Sequence, residues 1–159
     1  MPVTRPVVFI SSTARDLAEH REAAARAARQ AGFEARMMED FEAQTLKPPY
    51  AACMEKVRDC DVLVAIVAHR YGWVPPDQPG GLAKSITWLE CEESLGVKKE
   101  VLAFVVDPEH KWPAELKEAY RVTQVLEKGE LTPEIATEIT RNLKKLGEFK
   151  AWLALPSHF

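Results

Sequence analysis

The stretch Val7–Asp16, VVFISSTARD, decides the fold. Apolar Val7, Val8, Phe9 and Ile10 run directly into Ser11, Ser12 and Thr13, with Arg15 and Asp16 behind them. A short unbroken apolar run bounded by small polar residues reads as a buried strand. Asp16-Leu17-Ala18-Glu19 has the spacing of a capping box, so a helix is expected to start there. Leu17–Ala31, rich in alanine, carries that helix on, and Gly32 follows as its stop. The product is a strand, a hydroxyl-rich turn and a helix N-terminus. In an open α/β sheet such a turn lies at the carboxyl end of a strand, where ligands bind. The helix dipole and its unpaired N–H groups favour a phosphate or another anion there.

Working outward, Phe33–Met38 is a second strand, and acidic Glu39-Asp40-Phe41-Glu42 marks the loop at its carboxyl end. Pro48-Pro49 is expected to open a helix over Tyr50–Arg58, because proline is tolerated in a first turn. Asp61–Ala68, DVLVAIVA, is apolar on both faces, as a central parallel strand must be. His69–Ser85 holds three prolines and three glycines and reads as a long irregular segment, which in a compact domain is functional or mobile. Thr87–Val97 is a helix and Val101–Val106 a fourth buried strand. Pro113–Lys128 and Pro133–Leu155 read as two helices separated at Gly129.

Four strands alternating with helices imply a parallel sheet with right-handed crossovers. The expected architecture is a flavodoxin-like open sheet of order 2-1-3-4, flanked by helices and followed by a helical C-terminal tail. The first and third strands then flank the switch point, which brings together the loops 11–16, 39–47 and 69–85. No strand follows the last helix, so a fifth strand is missing and the chain is expected to be the N-terminal part of a longer protein. The whole of 1–159 reads as one domain, with a core over about residues 6–107 and the tail over 108–159.

Composition narrows the function. A formal net charge of −3 without a long basic run gives no footprint for nucleic acid. No apolar stretch approaches the roughly 18 residues of a membrane helix, and the start of the chain lacks a signal-peptide core. Cys53, Cys60 and Cys91 are an odd set without metal-ligand spacing, which suggests a reducing, cytoplasmic compartment. His20, His69, His110 and His158 are scattered, so neither a metal site nor a Ser-His-Asp constellation is expected.

Three groups of residues carry candidate chemistry. Ser11, Ser12, Thr13 and Arg15 can hold a phosphate or ribose, or can simply form a turn and cap a helix. There is no Gly-Lys-Ser/Thr and no GxGxxG, so this is neither a Walker loop nor a dinucleotide fingerprint. Glu90 either closes a capping box with Thr87 or faces the switch-point cleft. In the cleft it would bind ribose hydroxyls or stabilise an oxocarbenium-like centre. Glu92 and Glu93 point elsewhere on the same helix. Arg70, Tyr71 and Trp73 follow the central strand; the aromatics can stack on a base and Arg70 can pair with phosphate, or the aromatics anchor the loop.

VFISSTARDL (Val8–Leu17), CDVLVAIVAHRYGW (Cys60–Trp73), SITWLE (Ser85–Glu90) and VLAFV (Val101–Val105) together resemble the domain of unknown function 4062 family. That family is similar to the Toll/interleukin-1 receptor (TIR) and nucleoside deoxyribosyltransferase-like domains. The resemblance implies a flavodoxin-like fold at the front of a larger signalling or defence protein. It also implies a catalytic Glu at the start of a helix, eight residues before a Gly-Lys that precedes the next strand. Glu90 stands eight residues before Lys98-Lys99, which precede Val101, and is the position carried over. Ser11 and Ser12 carry over as ligand contacts. Trp88 stands two residues before Glu90 where TIR enzymes place a Trp four before, and Lys98-Lys99-Glu100 replaces Gly-Lys-Pro.

Three functions fit these residues and stay open at this level. The first is cleavage of NAD or a related nucleotide at its N-glycosidic bond, with NAD as substrate, no cofactor and no metal; the TIR resemblance implies that association into a homo-oligomer would gate this activity. The second is a non-catalytic self-association or protein-interaction module in which Glu90 is a helix cap only. The third is a nucleotide-binding sensor without turnover.

Overall fold

The computed structural model of the chain describes residues 3–38 and 46–156. Four strands, β1 (Val7–Ser12), β2 (Glu34–Met37), β3 (Val62–Val67) and β4 (Glu100–Val105), form one parallel sheet of order β2-β1-β3-β4. This is the expected order. The acidic stretch 39–42 lies outside the described residues, while 46 and 47 of its loop lie within them.

Alternation along β1 sorts the core into two layers. Val7 and Phe9 join Leu63 and Ala65 of β3 on one face. There they meet Cys53, Met54 and Val57 of α2 (Tyr50–Arg58), Cys91 of α3 (Ile86–Gly96), and Leu146, Phe149 and Leu153 of α5 (Pro133–Leu153). Val8 and Ile10 pack on the other face against Ala24, Ala25 and Ala28 of α1 (Ala18–Gln30), whose small side chains allow a close approach. All three cysteines are free thiols inside the first layer, each at most 1% exposed. Burial pushes the Cys53 thiol up to about 11 and the Cys91 thiol well above its ordinary value.

Several expectations need correction. The capping box at Asp16 does not form: α1 starts at Ala18, and Leu17 holds the N-cap position without a side-chain bond. A bend over residues 14–17 separates strand from helix, and it draws Asp16 inward to 7% exposure. β4 is not a buried strand. It ends the sheet, α1 lies over β1 and β2, and Leu102 and Phe104 are 49% and 61% exposed. The helix over Pro113–Lys128 is broken into two 3-10 turns (Ala114–Leu116 and Glu118–Tyr120) and α4 (Arg121–Glu127). The break falls at Lys117, which takes an extended conformation, and the Glu118 N–H that follows donates to the His69 carbonyl. The long helix α5 is capped by Thr132, whose hydroxyl accepts from Ile135 N–H, with Pro133 in its first turn.

The histidines are less scattered than their spacing suggests. His20, His69 and His110 surround the Trp112 indole, with ring centroids 5.4, 5.6 and 6.4 Å away. Among the described residues, no group of three His, Cys, Asp or Glu could hold a metal ion. No helix among them is long and apolar enough to cross a membrane.

Candidate functional site

The carboxyl ends of β1 and β3 open into a narrow cleft at the switch point. Its floor and walls come from three main segments, with Met38 just after β2 completing the lining. Ser11, Ser12, Thr13, Arg15 and Asp16 come from the β1–α1 turn, Arg70, Gly72 and Trp73 from the segment after β3, and Ile86, Thr87 and Glu90 from α3.

Glu90 is the centre of this arrangement. It is the fifth residue of α3 and 2% exposed, and the Ser11 hydroxyl donates to its Oε2. The capping-box role is excluded, because Ser85 holds the N-cap and its Oγ accepts from Trp88 N–H. α3 begins two residues earlier than that box requires, which carries Glu90 past the first turn. Burial pushes its carboxyl up to about 8, while the Ser11 hydrogen bond and the charges of Arg21 and Lys56 pull the other way. Oε1 has no hydrogen-bond partner among the described residues, and neither has the buried Thr13 Oγ1 in the same cleft. Buried acceptors without partners are costly in an interior and are found where a ligand or water completes the set.

The cleft walls are held by the backbone. Gly72 has φ +84°, and a Cβ there would stand 2.8 Å from Thr13 Cγ2. Only glycine lets the segment after β3 come this close to the β1–α1 turn. Ser12 Oγ donates to the Thr13 carbonyl and helps to shape that turn.

Seven of the eight residues expected from the sequence line the cleft: Ser11, Ser12, Thr13, Arg15, Arg70, Trp73 and Glu90. Tyr71 does not. It is 2% exposed, its hydroxyl donates to the Ala83 carbonyl and accepts from Ser85 N–H, each at 2.9 Å, and its ring belongs to the core. It ties down the long 69–85 segment and seats the N-cap of α3. Gln78 fastens the same segment from within, donating to the Pro75 and Lys84 carbonyls and accepting from Lys84 N–H.

Arg21 was not visible as a site residue. It is 8% exposed, donates from Nη2 to the Met38 carbonyl at the end of β2, and acts electrostatically on Glu90. The signal was there: Leu17, Arg21, Ala25 and Ala28 fall on one helical stripe, and an arginine in an apolar stripe calls for a partner.

The model of the domain of unknown function DUF4062 matches residues 7–153. The chain belongs to the DUF4062 family. No curated protein matches it. Among solved structures, the DUF4062 chain is similar to the TIR domains of the activated Roq1 resistosome directly recognizing the pathogen effector XopQ. That match has 16% identity and a TM-score of 0.44, and covers 91% of this chain and 82% of the other. The DUF4062 match runs through α5, so that helix belongs to the family's domain as well as to this chain's core.

Proposed function

We propose that the DUF4062 cleft binds a nucleotide by its ribose and hydrolyses the N-glycosidic bond, with NAD as the substrate. One observation carries this reading: a wholly buried carboxyl, Glu90, stands at the switch point with one oxygen held by Ser11 and the other without a partner among the described residues. A carboxyl so placed accepts from ribose hydroxyls and, once ionised, stabilises positive charge developing at C1.

In the free protein the carboxyl is mostly neutral at pH 7. A ligand carrying a ring cation favours its ionised form and sends the proton to solvent. The C1–N bond then breaks, nicotinamide leaves as a neutral base, and the oxygen of a water bonds to C1 as its proton passes to solvent. Ser11 fixes the carboxyl's orientation, and Thr13 Oγ1 offers a second hydrogen bond to the sugar.

The interaction-module alternative treated Glu90 as a helix cap, and Ser85 holds that place. The test is NAD consumption at high protein concentration, with wild type beside Glu90→Gln and products separated by chromatography. Wild type is expected to release nicotinamide, and the variant to be slower by at least about a hundredfold, the scale of losing one preorganised electrostatic group. Equal rates overturn the reading. Nucleotide binding without product overturns hydrolysis and leaves a sensor.

A further inference from the structure

The Glu90 cleft has a cavity volume of only about 30 Å³. That is room for a water or a hydroxyl, whereas sites for whole ligands run to about 300–1,000 Å³. Most of any nucleotide must therefore lie elsewhere. A groove of about 430 Å³ adjoins the cleft, and Arg70, Gly72 and Trp73 line both. Its far wall comes from Glu118, Arg121, Glu138, Arg141 and Asn142. These lie at the start of α4, just before it, and on α5, beyond the blocks that suggested a nucleotide site in the sequence.

The charges of this groove do not cancel. Four basic side chains, Lys47, Arg70, Arg121 and Arg141, face two carboxylates, Glu118 and Glu138. Glu118 is 1% exposed; it accepts from Arg121 Nη1 at 2.6 Å and Asn142 Nδ2 at 3.1 Å, and pairs with Arg70 Nε at 3.5 Å. Arg121 also reaches Glu138 at 3.0 Å. The two carboxylates thus answer Arg70 and Arg121. Arg141 donates, among the described residues, only to the neutral Asn142 Oδ1 at 3.1 and 3.4 Å. Lys47 sits 5.8 Å over the Trp73 ring, at the junction of groove and cleft. Among the described residues neither Lys47 nor Arg141 pairs with a carboxylate, and two such cations, one of them a guanidinium suited to paired oxygens, are the groups that take a phosphate.

We infer that this groove is the phosphate subsite of the same ligand, with Arg141 and Lys47 holding the pyrophosphate of a dinucleotide whose ribose reaches Glu90. The inference rests on the nucleotide reading of the cleft and moves the phosphates from the β1–α1 turn to the C-terminal helices. It makes the ligand class a pyrophosphate-bearing nucleotide and excludes a bare nucleoside.

Both cations are exposed, so their replacement spares the core. The test is calorimetric titration of the full chain with inorganic pyrophosphate alone, for wild type, Arg141→Glu, Lys47→Glu and Glu90→Gln, each checked by thermal melting. Wild type should bind, more weakly as salt is raised. Each charge reversal should weaken binding at least tenfold, and Glu90→Gln should leave it unchanged. In the NAD assay the reversals should raise KM more than they lower kcat. No binding by wild type, or equal binding by wild type and both reversals, overturns the inference while leaving a Glu90-dependent hydrolysis intact. Pyrophosphate binding that needs Arg141, with Glu90 irrelevant to turnover, overturns the hydrolase reading and leaves the groove standing.

Discussion

At the scale of the residue, Glu90 carries a cost that has a sign. Its carboxyl is pushed from an ordinary 4.5 up to about 8 by burial. The folded chain therefore holds a proton on Glu90 between those values that the unfolded chain has released, and this group's contribution to stability falls as pH rises from about 4.5 to 8. Below that window the group costs nothing through ionisation, and above it the cost is constant. Glu90→Gln should melt close to wild type at pH 4 and higher than wild type at pH 9. The gain expected at pH 9 is about 1 kcal/mol or more, roughly 2–4 °C for a domain of this size. Equal shifts at both pH values would contradict the buried neutral carboxyl. The same titration should appear in catalysis, with kcat/KM rising as pH approaches 8, because that ratio reports the free enzyme. At Gly72, replacement by Ala forces a strained positive φ and drives a Cβ against Thr13. We expect a loss of about 1–3 kcal/mol in denaturant unfolding, together with weaker ligand binding.

At the scale of the element, the sheet was legible because each strand is a short apolar run between breakers and its order follows from crossover handedness. Glu90 was legible as a candidate through its place ahead of Lys98-Lys99, yet its burial was not, since Ser85 and Thr87 offer competing helix starts. The 3-10 turns around Glu118 were illegible for a different reason. Their conformation is set by a buried carboxylate answering Arg70 and Arg121, partners 48 and 3 residues away along the chain, and no local pattern records the first of them. Tyr71 shows the same limit: a Tyr beside a glycine reads equally as a base platform or an anchor, and only its two hydroxyl bonds decide. Tyr71→Phe should thus destabilise by about 1–3 kcal/mol, the cost of leaving the buried Ser85 N–H and the half-buried Ala83 carbonyl unpaired. Thermal melts with and without NAD would distinguish this from lost stacking, which would change the ligand's effect and leave the apo melt in place.

At the scale of the whole molecule, α5 is inseparable from the rest. Phe149 stacks on Trp88 of α3 at 5.2 Å between centroids, and Leu146 and Leu153 lie in the same cluster as Phe9 and Leu63. One face of α5 thus closes the core while Arg141 looks into the groove, so folding and the proposed phosphate subsite depend on the same helix. Phe149→Ala should cost about 3–5 kcal/mol in equilibrium unfolding. Pyrophosphate affinity should be unchanged wherever the variant stays folded, since Phe149 does not line the groove.

The three interior thiols give this chain a built-in reporter of its own opening. Cys53, Cys60 and Cys91 are sealed inside the layer under α2 and α3, and burial raises all three above the ordinary range. A thiolate, not a thiol, attacks an alkylating reagent, so the closed molecule is doubly protected and modification proceeds through molecules that have opened. Alkylation rates then measure how often the interior is exposed. A nucleotide seated on Glu90, whose backbone neighbour is Cys91, would slow that modification in proportion to its occupancy, with no need for turnover.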